Sequence, residues 1–378
     1  MKIYCDFQIQ LKRINDLLQC SFRHNLLEDI SFTDKIHDCD LILFLVNSSK
    51  SLINIDKLDK KKEQIDNNDI IYQIKSTCND NIKRKDYFKY NKPIILLERL
   101  DSSVTWIRGL EKYNNIIGIF KNRIVRDNSY NNKKLFSGRY HAKLITDSLS
   151  KKDIIQVSNK SKKKVDLATQ FFSKFKTLDK ITDDDFKKIH PVLFDFMSSP
   201  LSNKMKFYKD INKINNNNLE KDIDVFCVHT IRPGVIGKHR LKAINIIKNI
   251  KDISYKTDKC SEDVYKKDFV NSKICVACWG FGEWTHMDGY AMYSKTILIK
   301  PNTDYVYMDP DLYNSKRYIP CKPDFSDLEN IIKDILNNYS NYQNMLNDNY
   351  NFIKSIDDIH YTKKFWTKIK QVYIDSKK

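Results

Sequence analysis

The amino-acid sequence predicts an α/β protein of two domains facing a cleft, and three observations carry that prediction. First, 378 residues are too many for one ordinary core and comfortable for two. Second, short apolar runs alternate with longer polar, helix-like stretches through the first third of the chain. Third, after a loose Lys-, Asp- and Asn-rich region, the same rhythm restarts near Asp222.

Strands are predicted over Lys2–Phe7, Leu41–Val46, Ile70–Ile74, Pro93–Leu97 and Ile116–Phe120. Continuous apolar runs of this length, bounded by polar turns, suit strands buried on both faces, and the segments between them are long enough for crossover helices. From about Ser150 to Leu219 the pattern loosens, with the breaker pair Ser199-Pro200 and the run Asn215–Asn218. The expected division is therefore a Rossmann-like domain over 1–195, a connection over 196–221 and a second Rossmann-like domain over 222–378. In the second, Asp222–Val228 reads as a strand, Arg232–Gly237 as a turn and His239–Ile250 as an amphipathic helix with Leu241, Ile244, Ile246, Ile247 and Ile250 on its apolar side. Strands follow at Ile274–Ala277 and Thr296–Ile299, then a helix over Asp327–Leu346 capped by Ser326. Terminal helices carrying Phe352, Ile356, Phe365, Trp366, Ile369 and Val372 are expected to pack back on the body.

Bulk properties exclude several classes. Hydrophobic residues make up 41% and charged residues 30%, which argues against wholesale disorder. No apolar run approaches the length of a membrane span, and Met1–Asp6 is too polar for a secretory signal, so a soluble cytoplasmic protein is expected. The net charge of +18 is spread in short Lys runs (Lys60–Lys62, Lys162–Lys164) without interleaved aromatics. Nucleic acid is accordingly not the expected partner, and a pull on phosphorylated ligands fits better. Nine scattered cysteines suit a reducing compartment. Cys275-Val276-Ala277-Cys278 lies in an apolar strand with no second pair nearby, so it reads as core, and no metal site is expected.

The chemistry concentrates where glycine does. Of eight glycines, five fall between Gly234 and Gly289. In open α/β sheets ligands bind in loops between strand carboxyl ends and helix N-termini, and glycine permits close backbone approach. Arg232-Pro233-Gly234-Val235-Ile236-Gly237-Lys238-His239-Arg240 sits at one such place and suits a pyrophosphate, although it lacks the spacing of a P-loop and also reads as a basic solvent-facing turn. The second is Trp279-Gly280-Phe281-Gly282-Glu283-Trp284-Thr285-His286-Met287-Asp288-Gly289-Tyr290. Its aromatics suit stacking on a base or sugar, Glu283 and Asp288 suit hydroxyl groups, and His286 suits a phosphate; a packed loop with its charges capping a helix is the lesser alternative.

The stretch from Trp279 to Tyr313 resembles the donor-binding signature of a group of GT-B-fold glycosyltransferases, which carry a W-G-x-G-E loop followed by an L-I-K-P strand and a P-D turn. The matching residues are Trp279, Gly280, Gly282, Glu283, Asp288, Ala291, Leu298, Ile299, Lys300, Pro301, Pro310 and Asp311. The resemblance covers roughly 222–335 and is specific over 279–311. It implies a GT-B architecture, a nucleotide sugar bound by the C-terminal domain, and a glycan or protein hydroxyl as acceptor. It further implies that no metal or other cofactor is needed, the diphosphate being neutralised by Lys238, Arg240 and Lys300 with Arg232, Gly237 and His239 beside them. Two positions depart from the pattern. Met287 stands where the family has Arg, and Tyr290 stands where it has the Glu that holds the ribose, which leaves a catalytically degenerate binding or scaffold protein as the alternative, with a basic nucleic-acid-associated protein behind it. The base that deprotonates the acceptor is expected at the end of the fourth predicted strand, at Asp101 with Glu98 behind it.

Overall fold

The computed structural model describes residues 1–6, 17, 20–21, 24–33, 35–46, 90–98, 102–105, 107, 113–133, 135–136, 139–149, 175–176, 180–192, 221–231, 234–280, 282–314 and 316–378. The expected strand over Ile70–Ile74 lies outside them. In chain order the first half forms β1 (Lys2–Asp6), β2 (Ser31–Thr33), β3 (Leu41–Val46), β4 (Ile94–Glu98), β5 (Ile116–Lys121), β6 (Arg123–Val125), β7 (Leu135–Phe136), β8 (Phe175–Lys176) and β9 (Ile189–Pro191). Six of these make one parallel sheet in the order β2-β1-β3-β4-β5-β9. Leu41 to Phe44 and Ile94 to Leu97 are buried at every position, as expected of strands covered on both faces.

The second half forms β10 (Ile223–Phe226), β11 (Tyr255–Lys256), β12 (Ser272–Val276), β13 (Ile297–Pro301), β14 (Val306–Met308) and β15 (Ile319–Cys321). Five of these make a second parallel sheet, β11-β10-β12-β13-β15. Both sheets thus place their first strand between the second and third, the doubly wound pattern of a Rossmann-like unit. The halves are joined by an antiparallel ribbon in which β14 pairs with β6, Val306 opposite Val125. Arg126 fastens the same seam, bonding the Asp311 carboxylate at 2.8 Å. The terminal helix Asp358–Asp375 returns to the first sheet, as expected: Phe365 stands edge-on to Phe120 with centroids 5.9 Å apart, and the Trp366 indole donates to Ser21 Oγ at 2.8 Å.

Three local expectations are corrected. The helix predicted from His239 begins at Val235 and runs to Asn249, because Gly234, at φ 108°, absorbs the turn and Val235 and Ile236 already belong to the buried face. The single helix expected over Asp327–Leu346 is two, Leu328–Asn337 and Gln343–Ser355, with a 3₁₀ turn over Tyr339–Tyr342. The Asn338 amide folds back on the Asp334 carbonyl there, an instance of short polar side chains competing with the helix backbone. Asp327, not Ser326, occupies the cap position, and the Ser326 amide bonds Asp324 instead. Within the loose region, β9 joins the first sheet and Asp183–Lys187 forms a short helix capped by Thr182.

His190 on β9 makes the fold pH-sensitive. Burial, reinforced by Lys368, pushes its imidazole down to about 4 from its ordinary 6.5. The folded value lies below the unfolded one, so the stabilisation is complete above pH 6.5 and is lost as pH falls through about 4. Urea unfolding at pH 7 and pH 4.5 is expected to show a loss on the order of 3 kcal/mol from this group. A His190→Gln variant should retain a shallower pH dependence; if it keeps the full wild-type drop, His190 is not the responsible group.

Candidate functional site

The two glycine-bearing loops meet at the carboxyl ends of β10 and β12, neighbouring strands at the switch point of the second sheet. The loop after β10 leads into helix Val235–Asn249, whose first turn carries no acidic residue and no side-chain cap. The loop after β12 leads into helix His286–Tyr293. Arg240 links them: its Nη1 donates to the Thr230 carbonyl at 2.7 Å, and its Nη2 stands 3.3 Å from where a side chain at Gly280 would begin. A side chain at 280 would press on the guanidinium, which would have to give by a few tenths of an ångström. Beneath, Trp279 is fully buried, donates its indole N–H to Thr303 Oγ1 at 3.1 Å and stacks on His239 with rings 10° from parallel. His239 Nε2 lies 2.9 Å from the Pro323 carbonyl, which makes it the protonated nitrogen, while the buried Nδ1 has no partner among the described residues. Burial pushes this imidazole down to about 4.

Glu283 turns away from that place, toward the first half of the chain. It is fully buried and receives the Ser103 amide at 3.1 Å and the Ser103 hydroxyl at 2.8 Å. His141 Nδ1 stands 3.3 Å from the same carboxylate, and Tyr305 adds a long contact at 3.5 Å. Burial alone would raise this carboxyl; His141, with Arg123 further out, outweighs burial and holds it down at about 2.

Asp288 and Lys300 form a second closed group. Both side chains are fully buried, with Nζ 3.0 Å from the carboxylate. The carboxylate also takes the Tyr313 hydroxyl at 2.6 Å, the Thr285 hydroxyl at 2.7 Å and the Thr285 amide at 3.2 Å, completing a capping box on helix His286–Tyr293. The two carboxylates that sequence reasoning offers to sugar hydroxyls thus spend their acceptors on protein groups.

The remaining predicted residues are dispersed. Gly237 is buried in the first helical turn, and the Lys238 amide bonds the Gly234 carbonyl. His286 is exposed, its ring 6.2 Å from that of half-buried Tyr290, whose hydroxyl burial pushes up to about 12. Glu98 is buried and paired with Lys121 at 2.8 Å, so its carboxylate faces a buried amine and not solvent. Asp101, Arg232 and Phe281 lie outside the described residues. The structure therefore gathers Trp279, Gly280, His239 and Arg240, and sends Glu283, Asp288 and Lys300 inward. Sequence reasoning missed Ser103, His141 and Tyr313, which carry no local signal because their partners are remote in the chain.

It also missed Cys227 and His229. At the carboxyl end of β10 they meet Cys278, the ligand-capable atoms of all three lying within 4.8 Å of one another. The near neighbour of Cys278 is Cys227, and not the Cys275 of its own C-x-x-C. Burial acts to raise the Cys278 thiol, but a hydrogen bond from Cys227 and the nearby His229 hold it below the usual thiol range.

No family model matches this sequence, and no curated protein matches it. Among solved structures, the chain is similar to a protein assigned as a UDP-N-acetylglucosamine 2-epimerase from Listeria monocytogenes, at 9% identity and a TM-score of 0.36, over 98% of this chain and 95% of the other. No helix among the described residues is long and apolar enough to cross a membrane.

Proposed function

We propose that the protein is a glycosyltransferase that binds a nucleotide sugar at the switch point of its second sheet and transfers the sugar to a hydroxyl of a glycan or protein. The observation that carries this reading is the meeting of two loops, an uncapped helix N-terminus and the Arg240 guanidinium at the ends of β10 and β12. Backbone amides at a helix start together with a planar cation form a natural seat for a diphosphate. In this reading Arg240 and Lys238 neutralise the leaving diphosphate, and no metal is required to do so. The Trp279–Tyr313 resemblance supports the same ligand class. A binding protein without turnover is the second reading, favoured by the saturation of Glu283 and Asp288 and by Tyr290 in place of the ribose-binding Glu.

Calorimetric titration with a panel of nucleotide sugars, followed by assay of nucleoside diphosphate release with sugars, glycans and peptides as acceptors, separates the two. Arg240→Ala is expected to weaken binding about ten- to a hundredfold, the worth of a charged hydrogen bond. Absence of binding by every nucleotide sugar would remove both readings, and binding without release would favour the second.

A further inference from the structure

We propose that Cys227, His229 and Cys278 form a binding site for a thiophilic divalent cation, with Zn²⁺ as the reference ion. Three features of the cluster point there. The first is chemical: two thiol sulfurs and an imidazole nitrogen are the soft and borderline donors that zinc selects. The second is spatial. All three ligand atoms already lie within 4.8 Å of one another. Bonds of about 2.3 Å to sulfur and about 2.0 Å to nitrogen place tetrahedral ligand atoms roughly 3.5–3.8 Å apart, so closure around an ion needs side-chain shifts of about an ångström.

The third is the way the fold holds the ligands. Cys227 lies one residue and Cys278 two residues past the ends of neighbouring parallel strands, whose register pairs Phe226 with Cys275. Both cysteines are fully buried, so no solvent competes for their sulfurs. The His229 ring is oriented by backbone, its Nε2 donating to the Val276 carbonyl at 3.0 Å and leaving Nδ1 as the unprotonated nitrogen. Such backbone support to an imidazole is characteristic of metal-binding histidines.

Loading releases protons from the thiols and forms two sulfur–metal bonds and one nitrogen–metal bond, with no change of oxidation state. The ion would pin the loop after β10 to the loop after β12. This role is independent of whether a nucleotide sugar binds.

Cobalt supplies the test. The full chain, reduced and freed of metal by chelation, is titrated with Co²⁺ and followed by absorption. One equivalent is expected to raise a thiolate-to-cobalt charge-transfer band together with the intense visible bands of a tetrahedral site, and Zn²⁺ is expected to bleach them. Cys278→Ser and Cys227→Ser should each weaken binding by at least about 100-fold, with the charge-transfer band diminished. Cys275→Ser and Cys321→Ser, which alter buried thiols of the same sheet outside the cluster, should keep the full spectrum. Zn²⁺ should also raise the thermal midpoint of the wild type and of Cys275→Ser, but not of Cys278→Ala, with circular dichroism confirming that each variant is folded. Reduced wild-type protein that gives no thiolate–cobalt band overturns the proposal. A band that survives intact in folded Cys278→Ser or Cys278→Ala does so equally.

Discussion

Replacing Glu283 by alanine is expected to lower the unfolding free energy by about 3–5 kcal/mol, the cost of taking a charged acceptor from the two buried donors of Ser103. Sequence reasoning alone expects this substitution to silence a ligand contact and spare the fold. Full burial of the carboxylate reverses that expectation. The Ser103 amide and hydroxyl lose their acceptor, and His141 loses the anion 3.3 Å from its Nδ1. Glu283→Gln keeps an acceptor oxygen for Ser103 and removes only the charge, so it should cost less than Glu283→Ala. Denaturant unfolding of both variants, together with His141→Ala and the double variant, measures the coupling. Additive costs would show that Glu283 and His141 do not act as a pair. Because Ser103 and His141 come from the first half of the chain and Glu283 from the second, the same experiments report on cohesion between the halves.

Lys300→Met is expected to destabilise by a similar amount, about 3–5 kcal/mol, since it strands the Asp288 carboxylate in a fully buried position. The double variant Asp288→Asn/Lys300→Met should be more stable than Lys300→Met alone, because it removes the orphaned charge while leaving a polar cap for helix His286–Tyr293. The contrast with ligand binding is sharp. If Lys300 instead serves a donor phosphate, Lys300→Met should cost affinity for a nucleotide sugar and leave the unfolding free energy nearly unchanged. A destabilisation under about 1 kcal/mol would sink the structural role.

Legibility in the sequence followed the range of the interaction. Leu41–Phe44 and Ile94–Leu97 announced themselves because a strand covered on both faces writes its burial as an unbroken apolar run. The loops after β10 and β12 were visible through their glycines, since the need for a sharp turn or close approach is local. Their convergence was also foreseeable, because parallel βα units place such loops on one edge. What lay beyond reach were the partners. Glu283 and Ser103 stand 180 positions apart, and nothing in either residue's neighbourhood names the other. An acidic residue in a glycine-rich loop reads equally well as a ligand contact or as a seam between halves, and only distance and burial decide. Cys227-Val228-His229 offered a fainter clue: two ligand types one residue apart at a strand end, complete only when Cys278 arrives from the neighbouring strand.

The return of helix Asp358–Asp375 to the first sheet bears on biosynthesis. Phe120 and Ser21 are translated long before Phe365 and Trp366, which pack against them. A nascent chain released as far as the second sheet still presents the Phe120 face uncovered. Apolar surface exposed in this way is a target for chaperones and for self-association. Termination before Phe365 would leave both sheets synthesised but the first one unsealed, so the N-terminal sheet depends on residues translated after the whole of the second sheet.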